Sequence, residues 1–326
     1  MSRFFKYVEI GKQISSYLID HLLDATLGYL YNSGSALGLI MSMQVSSGIM
    51  LACYYVASIV MAFKQLRLIT LNKPGAHLVR LVHINGASLM FLTLYTHIGR
   101  ALWMGSGLGK RKWTWFIGII IFLLLILTAF LGYSLVYGQM SYWAICVISN
   151  LLTIIPIVGK ALLEWIYGDV NISTTTLTRF YSLHYILPLI VIIGIIGHLI
   201  ALHRRGSTNP LGVETQSIKI NFHPYYTWKD LVGLIGLSLV WVSTLWLPYW
   251  SVHADNFVEA NPLVTPVHIQ PEFYFLFYYM ALRSIPDKTL GVLGLLSIFV
   301  VMVMWPYTHK GFTTTVNKWR PLMKPI

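Results

Sequence analysis

The chain has 326 residues, of which 56% are hydrophobic and only 10% charged, and its mean hydropathy is +0.66. A soluble domain carries about a quarter charged residues, so a soluble enzyme is excluded and an all-α polytopic membrane protein is expected. The net charge of +12 fits cationic loops flanking membrane spans, with lipid as a partner and no nucleic acid.

Residues 1–32 mix Arg3, Lys6, Lys12 and Asp20 with apolar side chains and read as an amphipathic surface helix. Six spans follow, at about 33–56, 76–103, 113–134, 175–202, 229–247 and 289–307. Between the third and fourth span, stretches at about 139–150 and 157–167 are too short to cross a bilayer. Pro156 and Gly159 separate them, which predicts a helical hairpin on the membrane surface. The connection 248–288 carries prolines at 248, 262, 266, 271 and 286 and reads as a structured surface loop. Cys53 and Cys146 lie in apolar stretches without a CxxC pattern and are expected as buried, unpaired thiols. Three regions result: the segment 1–32, a four-helix bundle at 33–210, and a C-terminal region at 211–326 holding the last two spans.

Lys and Arg set the orientation. With the N-terminus inside, the inner segments hold fifteen of these residues and the outer segments eight. The second and fourth spans then run parallel, from outside to inside.

Those two spans carry the chemistry. His83 and His97 lie fourteen residues apart on one, and His184 and His198 lie fourteen apart on the other. Fourteen residues is almost four helical turns, so the second imidazole falls about 40° short of the first and about 21 Å further along. Each helix therefore offers imidazoles on one face at two depths. Polar groups at bilayer depth mark function by default. Copper or zinc is conceivable with imidazole ligands, but pairing at two equal depths suits two six-coordinate haems in series and an electron path across the membrane.

Glycines repeat the same interval: Gly34 and Gly48 on the first span, Gly118 and Gly132 on the third. One pair would read as ordinary small-residue packing. Two pairs in register with the histidines read as bare backbone where a flat macrocycle needs close approach. Arg80 and Arg100 flank the second-span histidines by three residues and could pair with haem propionates, or could simply snorkel at the helix ends.

Two polar groupings remain. In Pro271-Glu272-Phe273-Tyr274, on the outer side, a carboxylate beside aromatic rings could accept a proton from a quinol hydroxyl. On the inner side His203, Ser207, Lys229 and Asp230 fall at helix ends, where a His/Asp pair could hydrogen-bond quinone carbonyls and deliver protons. Solvated helix ends fit that spacing equally well.

Taken together, these residues resemble the cytochrome b family, the haem-bearing subunits of respiratory complex III (ubiquinol–cytochrome c reductase). The resemblance runs from about residue 30 to 322. It rests on Gly34 through Gly48, His83 to Arg100, Gly138-Gln-Met-Ser-Tyr-Trp, Leu177-Thr-Arg-Phe-Tyr-Ser-Leu-His184, Asn221-Phe-His-Pro-Tyr-Tyr, and Pro271-Glu-Phe-Tyr. It implies two haem b groups, His83 with His184 holding the outer and His97 with His198 the inner. It implies quinol oxidation at Glu272, Tyr274 and Tyr133, with the hairpin around Ala144 lining that pocket. Quinone reduction is implied at His203, Ser207 and Asp230, with ubiquinone and ubiquinol as substrates. The implied coupling is the Q cycle with proton translocation. The implied partners are a Rieske iron–sulfur protein, a c-type cytochrome subunit and other complex III subunits, in a homodimeric complex of the mitochondrial inner membrane.

The chain departs from the family pattern at four places. Phe273 replaces a usual tryptophan, Ala144 a usual glycine, and Arg204 a usual acidic residue. The two C-terminal helices usual in the family are expected to be missing. The competing readings are the plastoquinol-type counterpart, a haem-binding anchor relaying electrons to a soluble partner, and a transporter. The fourteen-residue interval between His184 and His198 and the Pro271-Glu motif on the same chain favour the respiratory type.

Overall fold

The computed structural model describes residues 9–72, 74–210, 212 and 218–308. Arg3 and Lys6 of the expected surface helix, and the basic residues at 310–324, lie outside them. The described helices are α1 (Glu9–Leu18), α2 (Ser33–Ala52), α3 (Ala62–Asn72), α4 (Pro74–Trp103), α5 (Lys112–Ser134), α6 (Gln139–Asn150), α7 (Gly159–Tyr167), α8 (Thr174–Arg205), α9 (Thr227–Trp246), α10 (Leu276–Arg283) and α11 (Lys288–Thr308).

Among the described residues five helices are long and apolar enough to cross a membrane: α2, α4, α5, α8 and α11, three of them extended at their starts by a short helical turn or trimmed by a residue. The fifth expected span is helix α9, whose first turn holds Lys229 and Asp230, so its apolar run starts only at Leu231. That run, Leu231 to Trp246, is sixteen residues, just short of the roughly twenty a bilayer core needs. Helix α5 is apolar on every side, as a segment surrounded by lipid and protein must be.

Helices α2, α4, α5 and α8 form the bundle; α2 packs along α4, and α5 along α8. All four meet in one buried cluster of Ile40, Met41, Leu89, Met90, Ile121 and Val191. Ile40, Met41, Leu89, Met90 and Val191 lie about midway in sequence between the two histidine levels, and Ile121 lies nearer the inner one. An apolar, close-packed plug therefore separates the levels. Against α5 lies α11, tied by the Trp115 indole N–H donating to the Met302 carbonyl at 2.8 Å.

The hairpin between α5 and α8 is present as α6 and α7. It is sewn to the 248–288 loop. Gln139 N–H donates to the Val258 carbonyl at 2.9 Å, its side-chain amide donates to the Val264 carbonyl at 2.8 Å, and its Oε1 accepts from Asn261 N–H at 2.8 Å. Gly138 allows this approach, since a Cβ there would stand 2.5 Å from the Asn256 carbonyl oxygen.

One feature is not helical. Strand β1 (Leu22–Asp24) pairs antiparallel with β2 (Lys219–Asn221), with Leu22 opposite Asn221 and Asp24 opposite Lys219. The strand ties the N-terminal segment to the entry of α9. The Asp24 carboxylate accepts from Thr26 N–H and Oγ1 at 2.9 and 2.6 Å and from the Asn209 amide at 2.8 Å. Both cysteines are free as expected, but Cys53 is exposed and Cys146 half-buried. Cys53 stands at the C-terminal end of α2 and points off the bundle, so the apolar stretch around it does not bury it.

Candidate functional site

The four histidines meet in two pairs across the bundle. The rings of His83 and His184 have centroids 6.2 Å apart at an interplanar angle of 83°, and those of His97 and His198 lie 6.4 Å apart at 57°. At these distances the rings do not touch. Half of 6.2 Å is about 3.1 Å, which matches a metal–nitrogen bond of about 2.0 Å plus an imidazole ring radius of about 1.1 Å. Each gap therefore has the width of one bis-imidazole metal.

Hydrogen bonds fix which nitrogen faces the gap. Ser47 Oγ donates to the Met43 carbonyl at 2.6 Å and lies 2.9 Å from His83 Nδ1, so it accepts from Nδ1–H. Ser33 Oγ donates to the Leu30 carbonyl at 2.9 Å and accepts from His97 Nδ1–H at 3.0 Å. His184 Nδ1–H donates to the Thr128 carbonyl at 2.9 Å. His198 Nδ1 faces the Thr114 carbonyl without closing a hydrogen bond of normal geometry. With the proton on Nδ1, the Nε2 lone pair is left as the donor to a metal. Among the described residues no three His, Cys, Asp or Glu side chains converge as a bare metal site would require. Two donors per site are what an iron already held by four porphyrin nitrogens takes.

The glycines have a sharper purpose than a general flat wall. Each lies under one histidine ring. A Cβ would stand 2.5 Å from His184 Cε1 at Gly132, 3.1 Å from His198 Cε1 at Gly118, 3.2 Å from His83 Cε1 at Gly48 and 3.6 Å from His97 Cε1 at Gly34. The missing side chains admit the imidazoles themselves.

Arg80 and Arg100 take different surroundings. Arg80 donates to Thr70 Oγ1 at 2.5 Å. The Arg100 guanidinium stands over the Tyr31 ring at 4.8 Å, and its Nε is buried without a partner. An orphaned guanidinium nitrogen beside the inner pair is what an absent carboxylate of a bound group would satisfy.

A cavity of about 280 Å³ opens at the outer pair and runs from Gly48, Arg80, His83, Gly132 and His184 to Tyr133, Glu272 and Tyr274. It brings the outer histidines and the Pro271-Glu motif into one space. Burial pushes the Glu272 carboxyl up to about 7, against the opposing pull of the Tyr133 hydroxyl and the His253 backbone N–H. The Tyr133 hydroxyl is buried within interacting range of that carboxyl, without a hydrogen bond of normal geometry. Tyr274 is buried and stacks on Phe91 with centroids 4.6 Å apart at 7°. Phe273 packs on Trp250 at 5.5 Å. Ala144 sits on α6, beside this region, and is not among the residues lining the cavity.

The inner grouping is held differently from the sequence expectation. Asp230 accepts from the Asn32 amide at 2.7 Å and from Ser35 Oγ at 2.9 Å. Lys229 donates to the Leu27 carbonyl and lies 5.0 Å over the Tyr29 ring. His203 Nδ1–H donates to the Leu199 carbonyl at 2.7 Å, and its ring packs against His21 and Tyr17. The Ser207 carbonyl accepts from Arg111 at 3.3 Å. His203 and Asp230 are thus fastened to separate parts of the N-terminal segment, and no hydrogen bond or ion pair joins them among the described residues.

Sequence reasoning missed the groups that orient the histidines. Their signal is the same interval: Ser33 and Ser47 are fourteen apart, and so are Thr114 and Thr128.

Comparison with known proteins agrees with this geometry. The family described as Cytochrome b/b6/petB matches residues 18–206, and that described as Cytochrome b(C-terminal)/b6/petD matches residues 259–326. A curated cytochrome b from Candida parapsilosis is 43% identical over 300 residues, covering 92% of this chain and 78% of that protein. A chain of a hyperthermophilic respiratory Complex III superposes with a TM-score of 0.90 at 28% identity, over 99% of this chain and 86% of the other.

Proposed function

The chain belongs to the cytochrome b family, and on that premise we propose how its residues divide the work of a quinol-oxidising, quinone-reducing membrane protein. As a multi-pass core subunit of complex III, an oxidoreductase, it carries electrons across the membrane through haem within the quinone cycle. That membership sets aside the anchor and transporter readings.

Two haem b groups are the proposed cofactors. His83 and His184 hold the outer one, and His97 and His198 the inner. When bound, they supply one-electron redox chemistry at both depths. The residues supply the rest. Ser47, Ser33 and the Thr128 carbonyl keep the proton on Nδ1 and so aim each Nε2. The Met41, Met90 and Val191 plug keeps water out between the levels. Arg80 and Arg100 pair with the carboxylates of the bound groups.

At the outer face, ubiquinol enters the cavity shared with the outer histidines. Its hydroxyl gives a proton to the Glu272 carboxylate, which the buried Tyr133 hydroxyl faces. A carboxyl held near 7 by burial can take a proton and release it again near neutral pH. At the inner face, His203, with Ser207, Lys229 and Asp230 nearby, binds quinone and returns protons to it. The partners are a Rieske iron–sulfur protein and a c-type cytochrome in a dimeric complex of the mitochondrial inner membrane.

The observation that carries this reading is Glu272 in one cavity with His83 and His184. Its test is Glu272→Gln in the assembled complex. Quinol oxidation should slow while both haem spectra persist. Unchanged turnover at every pH would show that another group accepts the proton.

A further inference from the structure

The inner site holds a second imidazole that the histidine pairs do not account for. His21 places its ring centroid 4.6 Å from that of His203, tilted by 56°, and Tyr17 covers another side of His203 at 4.9 Å. Neither histidine is placed by chance. The His21 carbonyl accepts from Phe222 N–H at 2.7 Å, the neighbouring Ile19 carbonyl accepts from His223 N–H at 3.2 Å, and β1 begins at the next residue. His203 is locked on α8 by its Nδ1–H on the Leu199 carbonyl, which leaves Nε2 free to exchange protons. The N-terminal segment that carries His21 also supplies Asn32 to Asp230, which accepts from Ser35 of α2 as well. It thus reaches both polar groups proposed for the inner site.

We propose that His21 is the relay residue of the inner site, passing protons taken up at the inner face to His203, which gives them to the quinone. In each transfer a proton moves from His21 to the free ring nitrogen of His203, then to a quinone oxygen, while His21 is reprotonated from solvent. The electrons come from the established activity. The ionisable groups around the pair are Tyr17 of α1, Lys219 of β2 and the two histidines. Burial, then His203 and Lys219, hold the His21 imidazole below the usual histidine range. The inference rests on the assignment of His203 to quinone reduction.

The test uses the intact membrane complex with its outer site blocked by an inhibitor of that site. The haems are prereduced, a short-chain ubiquinone is added, and reoxidation is followed by absorbance across the neutral and alkaline range. His21→Ala should slow reoxidation about a hundredfold, the low end of what a positioned acid or base contributes, with haem spectra intact and with recovery on adding free imidazole. His21→Gln keeps the packing on His203 and should be slow with an altered pH profile; it decides the matter if the alanine variant does not assemble. Full speed in His21→Gln beside a slow His203→Gln overturns the relay alone. Full speed in His203→Gln overturns the inner-site assignment and the relay with it. A slow His21→Ala that imidazole does not restore, with an unshifted pH profile in His21→Gln, marks a structural contact and also overturns the relay.

Discussion

Replacing the four glycines one at a time with alanine should separate the two haem sites by degree. The added Cβ meets a histidine ring at 2.5 Å at Gly132, 3.1 Å at Gly118, 3.2 Å at Gly48 and 3.6 Å at Gly34. The first is well inside van der Waals contact, the last is ordinary contact. The His184 ring cannot easily yield, because its Nδ1–H is held on the Thr128 carbonyl at 2.9 Å and, in the proposed site, its Nε2 would be committed to the metal. Overpacking of this kind costs about 1–3 kcal/mol, and about 1.4 kcal/mol is a factor of ten. Gly132→Ala should therefore weaken outer-haem retention by about ten- to a hundredfold. Gly118→Ala and Gly48→Ala should fall between, and Gly34→Ala should be close to neutral. The assay is the amplitude of each b-type component in reduced-minus-oxidised spectra, normalised to protein. Full retention of the outer component in Gly132→Ala, or equal losses at Gly34 and Gly132, would refute the argument that these glycines make room for imidazoles.

Other perturbations follow from the same geometry. His97→Ala should remove the inner component of the spectrum, and full retention of both components would contradict the pairing with His198. Glu272 accepts a proton only as the carboxylate, and its pKa is raised to about 7, so quinol oxidation should rise with pH through about 7 and flatten above it; Glu272→Gln should abolish that rise, as steady-state rates against pH would reveal. Ser47→Ala removes the acceptor of His83 Nδ1–H, which should make the imidazole a poorer donor and raise the potential of the outer haem in a redox titration, leaving the inner one in place.

The two histidine pairs were legible because the fourteen-residue interval fixes both face and depth on any straight helix. The glycines obeyed the same arithmetic, although the interval alone did not show that each lies against a histidine ring. Ser33, Ser47, Thr114 and Thr128 carried the interval too, but a hydroxyl beside a glycine reads as one more small residue in a packed helix. The inner site was the least legible. Asp230 is held by Asn32, and His203 meets His21, across separations of 198 and 182 residues, and no local pattern announces that the N-terminal segment folds back onto β2. The outer cavity was half legible: the Pro271-Glu motif suggested the chemistry, but only the stitching of Gln139 to Val258 and Val264 brings the hairpin and loop together above Glu272.

On the proposed function the bundle holds two stacked bis-histidine haem sites. A potentiometric titration of the reduced-minus-oxidised spectrum of the purified protein tests it directly. Two b-type components of different midpoint potential, each lost separately in His184→Ala and His198→Ala, are the predicted result. A single component, or one component that survives both substitutions, would contradict it.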